Sequence, residues 1–265
     1  MVAGRDWHAE KSKELISNGE IGDPQHIMAT NYVPYGRAYW EQLYRDYSIS
    51  GGLFLQKATH DLDYISYLMG KAITSISAMG SYNIFKGNEE AGLFCSKCGK
   101  TKTCIESPYN RKLMGFSDAD HACLFSKDLN DQPTNEDSSS CIFEFEDGSH
   151  GLYTQVFYVL RDAGARGARI SGYDGSIEFD WYQNRVKLMK HFDKFQSTYE
   201  PQAGSNEHFG GAAVLCGNFV EMAKGNQKSL APVQVGIQSV YSCLAARVSM
   251  KSGKRTKVRQ VGQIK

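Results

Sequence analysis

The chain has 265 residues, 41% of them hydrophobic and 22% charged, enough to bury a substantial core as one large domain or two small ones. Lys and Arg total 30 against 29 Asp and Glu, a balance that argues against generic nucleic-acid binding, which wants a clear basic excess. No stretch approaches a membrane span and the first residues carry no apolar secretory core; seven cysteines, an odd number, argue against a disulfide-built secreted fold, so a cytoplasmic location is expected.

In chain order, residues 7–18 predict an amphipathic helix with Asp6 as its cap and Gly19 just past its end. Its apolar face, Leu15 and Ile16, is narrow, so this helix must lean on another element. Residues 26–32 read as a strand. The segment 33–50, with Tyr35, Tyr39, Trp40, Tyr44 and Tyr47, fits a loop or short helix near a ligand or interface, or else surface aromatics covering a neighbouring core. After Gly51-Gly52 a short apolar run, expected as a strand, leads through Lys57-Ala58-Thr59-His60 into a helix over 59–69. Leu62, Ile65, Leu68 and Met69 share one face of that helix, Thr59 stands where a cap belongs and Gly70 stops it. Ile73, Ile76 and Ala78 begin a strand.

Periodicity is weak from about 82 to 138, far longer than an ordinary connection, which predicts a functional insertion or a locally stapled lobe. Strands follow at 141–146, 152–160, 169–172 and 176–181, with a further short one at 186–189. A helix over 212–224 is expected to turn Leu215, Phe219, Val220 and Met222 inward. A last helix starts after Pro232 with Ile237, Val240, Tyr241, Leu244 and Val248 along one stripe. The basic run Lys251, Lys254, Arg255, Lys257 and Arg259 reads as a helix end and a solvated tail. Many consecutive strands with few intervening helices predict an α+β fold: an open, mostly antiparallel (mixed) sheet with helices on one face.

A dinucleotide-binding domain would need a glycine-rich turn directly after an early strand and before a helix, where backbone amides and the helix dipole hold the pyrophosphate. This sequence opens with a helix and contains no Gly-x-Gly-x-x-Gly. Its nearest imitation, Gly164-Ala165-Arg166-Gly167, has the wrong spacing and reads as a flexible or tightly turning loop.

Lys57 and His60 lie three apart at a helix start, on adjacent positions of one face. A histidine there can exchange a proton with a hydroxyl, and a nearby ammonium can depress its pKa or hold an oxyanion. The competing account has His60 packing or capping the helix start and Lys57 solvated. Asp61 and Asp63 add acceptors at the same end. A different signal is Cys95-x-x-Cys98 followed by Cys104, where Gly99 permits a tight knuckle and thiolates suit zinc. Cys123 or His121 would supply the fourth ligand of a structural zinc site; free or partly buried thiols, or an iron–sulfur cluster, are the alternatives. Cys141, Cys216 and Cys243 read as core thiols.

Four segments, taken together and in order, resemble the C-terminal half of the Gfo/Idh/MocA oxidoreductase family. They are Lys13-x-x-Ile16-x-x-Gly19-x-Ile21-Gly22, Gly51-Gly52 through His60-Asp61-x-Asp63, Gly172-Tyr173-Asp174-Gly175-Ser176-Ile177-Glu178, and His208-x-Gly210-Gly211. The resemblance implies an α/β substrate domain whose open sheet mediates dimerisation, and hydride exchange between NAD(P) and sugars, cyclitols or related compounds. It implies that His60 acts on the substrate hydroxyl. Lys57 is the second candidate catalytic group; Gln56, Asp61, His208 and Tyr35 are the candidate substrate-binding residues. The family commonly has Asp where Gln56 stands and, after the late glycine pair, where Ala212 stands. Its principal catalytic lysine lies in a nucleotide domain with no counterpart here.

The expected organisation is therefore a linking helix over 1–22 and a single substrate-binding domain over 23–265, with NAD or NADP bound only if a separate nucleotide-binding domain supplies the site. Expected partners are a small polyhydroxy substrate and further copies of this chain in a homodimer or larger symmetric oligomer, with no nucleic acid and no membrane. The alternative from a different class is a non-catalytic binding or scaffold protein that retains the oligomerising sheet.

Overall fold

The computed structural model describes residues 6–127, 135–201 and 211–262. Nine strands form one sheet: β1 His26–Tyr32, β2 Ile73–Ser81, β3 Ser138–Phe145, β4 His150–Val156, β5 Ala165–Ser171, β6 Gly175–Asp180, β7 Arg185–Lys190, β8 Gln196–Tyr199 and β9 Thr256–Lys257. Their order is β8-β7-β6-β5-β1-β4-β3-β2-β9, and β1 with β4 is the one parallel pair among the described strands. The expected open, mostly antiparallel α+β sheet is the fold observed.

Side-chain alternation divides the sheet into a covered and an open face. Ile27, Ala29 and Asn31 of β1, Tyr153 and Gln155 of β4, Phe143 and Phe145 of β3, Ala168 and Ile170 of β5, and Ile177 and Phe179 of β6 are buried. They meet α1 (Trp7–Ser17), α5 (Thr59–Met69) and α8 (Val233–Ser252). Asp6 caps α1 as expected, accepting from the amides of His8 and Ala9 at 2.9 and 3.2 Å. On the other face Met28, Met79 and Ile142 stay exposed, at 42, 74 and 62%. No helix among the described residues is long and apolar enough to cross a membrane.

Several expectations fail for identifiable reasons. The apolar run after Gly51-Gly52 is a helical turn, α4 (Leu53–Gln56), and no strand. Four residues of apolar sequence carry no period that separates the two, and the left-handed glycines (φ +69° and +92°) turn the chain back on itself. Ala58 occupies the cap position of α5 and Thr59 does not cap it; the Thr59 carbonyl accepts Ser239 Oγ from α8. The final helix buries Ser239, Ser242, Cys243, Ala245, Ala246 and Ser249, while Ile237 and Val248 are exposed. Small residues let α8 approach β2 closely: a Cβ on Gly80 would lie 2.4 Å from Met250 Sδ. Among the described residues, α7 (Gly211–Ala223) buries Gly211 and Asn218, and Phe219, Val220 and Met222 point outward, the reverse of the expected face. Asn218 is spent on the following loop, accepting the Leu230 amide and donating to the Lys228 carbonyl. Cys216 is exposed, whereas Cys141 and Cys243 are core thiols as expected.

The segment after β2 forms a satellite lobe with its own apolar centre. Phe85 and Leu124 pack with Val33, Trp40, Leu53 and Phe157. Ion pairs staple it to the aromatic segment: Arg111 to Glu41 at 2.7 Å and to Glu106 at 2.8 Å, and Arg37 to Glu106 at 2.7 Å. Its short helix α6 (Pro108–Leu113) is capped by Ser107. The lobe thus sits on the aromatic segment, whose α2 (Ala38–Glu41) and α3 (Tyr47–Ser50) are single turns.

Candidate active site

Three consecutive buried polar residues before β3 fix the surroundings of Lys57 and His60. Asn135 donates to the Tyr44 carbonyl at 2.7 Å and accepts Ser50 Oγ at 3.0 Å, holding the aromatic segment. Glu136 accepts the Phe54 amide at 2.8 Å, anchoring α4, and burial raises its pKa. Asp137 accepts the amides of Ile84 and Phe85 at the start of the lobe. The chain then passes from α4 through Lys57 and Ala58 into α5, so Gln56, Lys57 and His60 emerge side by side.

Asp61 begins the buried floor. It is fully buried, and both its oxygens are engaged: Oδ1 accepts Arg166 Nη2 at 2.6 Å and Nε at 3.0 Å, and Oδ2 accepts Tyr153 Oη and Asn31 Nδ2, each at 2.7 Å. Burial works against the Arg166 charge, but the Asp61 carboxylate more than offsets it and holds the guanidinium above its ordinary pKa. Tyr153 also approaches Gln155, which donates to Ser139 Oγ at 2.8 Å. The network spans β1, β3, β4, β5 and α5. Asp61, expected to bind substrate, therefore has no free oxygen to offer.

Above that floor, His60 is half-buried, and neither of its ring nitrogens has a hydrogen-bond partner among the described residues. Burial lowers its pKa first; Asp61 pulls the other way, and Arg166 and Lys57 lower it further. The imidazole is therefore neutral at neutral pH and able to take a proton. Lys57 is 8% exposed; its Nζ donates to Tyr35 Oη at 2.7 Å and lies 5.0 Å from that ring's centre. Tyr39 packs against Tyr44 and Phe157, its phenol pushed up by burial and then by Tyr35 and Tyr44. Gln56 is half-buried, and its side-chain amide has no hydrogen bond among the described residues. The structure thus brings His60, Lys57 and Tyr35 together, with Gln56 next to Lys57 at the end of α4; His208 lies outside the described residues. Hollows of about 480 and 490 Å3 on the sheet and a groove of about 500 Å3 between α5 and α8 include neither His60 nor Lys57, so side-chain chemistry locates this site better than cavity size.

Sequence reasoning missed Arg166, Tyr153 and Asn31. Gly164 to Gly167 was expected as a loop, yet Ala165–Ser171 is β5, and Arg166 shares a face with Ala168 and Ile170. An arginine at the end of an inward-pointing alternation was the available signal, since a charge so placed demands a buried partner.

The cysteine lobe does not support the expected structural zinc at Cys95, Cys98, Cys104 and Cys123. Among the described residues no group of three or more His, Cys, Asp or Glu side chains is placed to hold a metal ion. Burial, then Cys123, Cys104 and Cys98, push the Cys95 thiol up to about 11. His121, the other candidate, lies with Nδ1 2.9 Å from the Ala122 carbonyl and Nε2 3.0 Å from the Glu106 carbonyl, and its single N–H donates to one of them.

Comparison with known proteins agrees with this architecture. The family model described as the GFO/IDH/MocA C-terminal domain matches residues 9–178, well over half of the chain. Putative oxidoreductase YteT of Bacillus subtilis is 25% identical, over 77% of this chain and 55% of its own length. Myo-inositol 2-dehydrogenase of Thermotoga maritima is 33% identical over 38% of this chain and 26% of its own. Levoglucosan dehydrogenase in complex with NADH superposes over 98% of this chain and 65% of that one, with a TM-score of 0.73 at 15% identity, a likeness of fold alone. The chain thus spans about half the length of YteT. On the family match, and with a sheet and helices arranged as that likeness requires, the chain belongs to the GFO/IDH/MocA oxidoreductase family through its C-terminal domain.

Proposed function

We propose that this chain is the substrate-binding domain of an NAD(P)-dependent oxidoreductase acting on a sugar, cyclitol or related polyhydroxy compound. Residues 1–22 would link it to a nucleotide-binding domain, and 23–265 would form the substrate domain. The observation that carries the reading is His60: a half-buried imidazole whose pKa burial lowers and whose nitrogens have no hydrogen-bond partner among the described residues, next to the fully hydrogen-bonded Asp61. The dehydrogenase names of the relatives support it.

The described residues do not fit a dinucleotide. Among the described residues no glycine-rich turn joins a strand to a helix; Gly164 and Gly167 flank the start of β5, where an added Cβ would meet Pro34 and the Phe179 carbonyl at 2.8 and 1.9 Å. The chemistry assigned to this chain is accordingly confined to the proton. His60 accepts it from the substrate hydroxyl as that carbon is oxidised, and returns it in the reverse direction. Tyr35 and Gln56 would orient neighbouring hydroxyls.

We further propose that the open sheet face, with Met28, Met79 and Ile142, forms a symmetric interface between two copies, since a monomer would leave that apolar surface in water. The site reading is tested by NMR on the isotope-labelled chain, titrated with a panel of sugars, cyclitols and sugar acids. Selective movement of the His60 ring resonances, lost in the Tyr35→Ala variant, is expected. A panel that leaves His60 unmoved throughout would reject it.

A further inference from the structure

The charges around His60 do not cancel. From β5 comes Arg166, from α5 Asp61, and from the turn between α4 and α5 Lys57; Tyr35 bonds Lys57, and Tyr39 and Tyr182 face Tyr35. Arg166 and Asp61 neutralise one another through two hydrogen bonds, of 2.6 and 3.0 Å. Lys57 has no such counterpart. It is 92% buried by its 8% exposure, and no carboxylate among the described residues lies within ion-pairing distance of its Nζ. An ammonium has three donors, and the Tyr35 hydroxyl takes one of them at 2.7 Å. Among the described residues this buried cation has one acceptor for its three donors and no counter-ion, which is costly unless something supplies the missing charge.

We propose that the substrate supplies it: a polyhydroxy carboxylate, an aldonic or uronic acid, whose carboxylate binds Lys57 while His60 takes the proton of a nearby hydroxyl. This deepens the oxidoreductase reading above and rests on it. Charge count selects the class. One uncompensated positive charge is matched by one carboxylate, whereas a phosphate monoester, with about −1.5 to −2 charges at neutral pH, would leave the site negative. Neutral sugars and cyclitols would leave Lys57 unpaired. Tyr35 then orients the ammonium through its hydroxyl and covers it with its ring.

The test is calorimetric titration of the full 265-residue chain with D-gluconate, D-galacturonate, D-galacturonamide and myo-inositol, with His60 ring resonances followed in parallel. At least one of the two acids should bind and shift His60. Galacturonamide and myo-inositol should bind about 30-fold more weakly or worse, the loss expected when one member of a buried charge pair is missing. Lys57→Met should abolish the preference for acids, and Lys57→Arg should restore part of it; circular dichroism verifies that both variants fold. Neutral compounds that bind as tightly as the acids and shift His60 would overturn the carboxylate proposal and leave the oxidoreductase reading standing. Acid binding that Lys57→Met leaves unchanged would also overturn it. If none of the four compounds shifts His60, both fall together.

Discussion

Replacing Asp61 by asparagine removes one negative charge and almost no volume, which isolates the electrostatics of the buried floor from its packing. Asp61 is fully buried, and the Arg166 side chain is 20% exposed. Breaking a buried ion pair from one side costs about 3–5 kcal/mol, because the surviving charge is stranded. Partial access of Arg166 to water reduces that to about 2–4 kcal/mol. The hydrogen bonds from Tyr153 and Asn31, each 2.7 Å, weaken as well, since they now meet an amide in place of a carboxylate. For a chain of this size the loss corresponds to a fall of about 4–7 °C in Tm, measurable by calorimetry. The double variant Asp61→Asn with Arg166→Met should recover at least half of it, because no charge is then left unpaired. A single variant within about 1 kcal/mol of wild type, or a double variant less stable than the single, would refute the view of Asp61 and Arg166 as one coupled unit.

Other outcomes follow from the same geometry. His60 and His26 both have lowered pKa values, burial being the first cause of each, so the folded state binds fewer protons than the unfolded chain. Their contribution to stability is fully present above the ordinary histidine pKa near 6.5 and declines as pH falls through the lowered folded values; urea melts of His60→Gln and His26→Gln should show a shallower acid decline. Gly167→Ala should destabilise by about 3 kcal/mol or more, because its Cβ would sit 1.9 Å from the Phe179 carbonyl across the β5–β6 ladder. Hydrogen exchange should localise the damage to β5 and β6, and unchanged protection there would contradict the close approach. Ile142→Asp on the open face should convert a dimer into a monomer by light scattering with little change in far-UV circular dichroism; a wild-type chain that is monomeric at micromolar concentration would defeat the dimer proposal.

The sheet was legible because its signals are local. Strands β3 and β4 alternate strictly, β6 does so from Ile177 and β5 from Ala168. The capping aspartate and flanking glycine of α1 bracket it within a residue. What escaped depended on distance in sequence. The outward turn of Phe219 and Val220 cannot be seen in a helix whose composition is apolar nearly all round. For α8 the expected stripe followed the largest side chains, whereas contact with β2 selects the smallest. At the site, spacing alone pairs Lys57 with His60. The partners that make the pair chemically meaningful, Tyr35 and Arg166, come from 22 and 105 positions away from Lys57 and Asp61 respectively. The zinc expectation failed for the complementary reason: Cys-x-x-Cys spacing is a local pattern, and it says nothing of where Cys104, His121 and Cys123 come to rest.

The buried run Asn135, Glu136 and Asp137 has an evolutionary consequence. Ser81 pairs with Ser138 at the end of the β2–β3 ladder, and Asp137 binds the amides of Ile84 and Phe85, so the lobe leaves and rejoins the sheet at a single pinned neck. Closing a longer or shorter loop at a fixed neck changes its entropy by only about 0.6 kcal/mol per doubling in length. Exposed stretches of the lobe can therefore change length at little cost, while the neck holds α4, and Glu106, Arg111 and Leu124 hold the lobe to the aromatic segment. Chains sharing this domain should differ most in those exposed stretches and least at the three residues that close the neck.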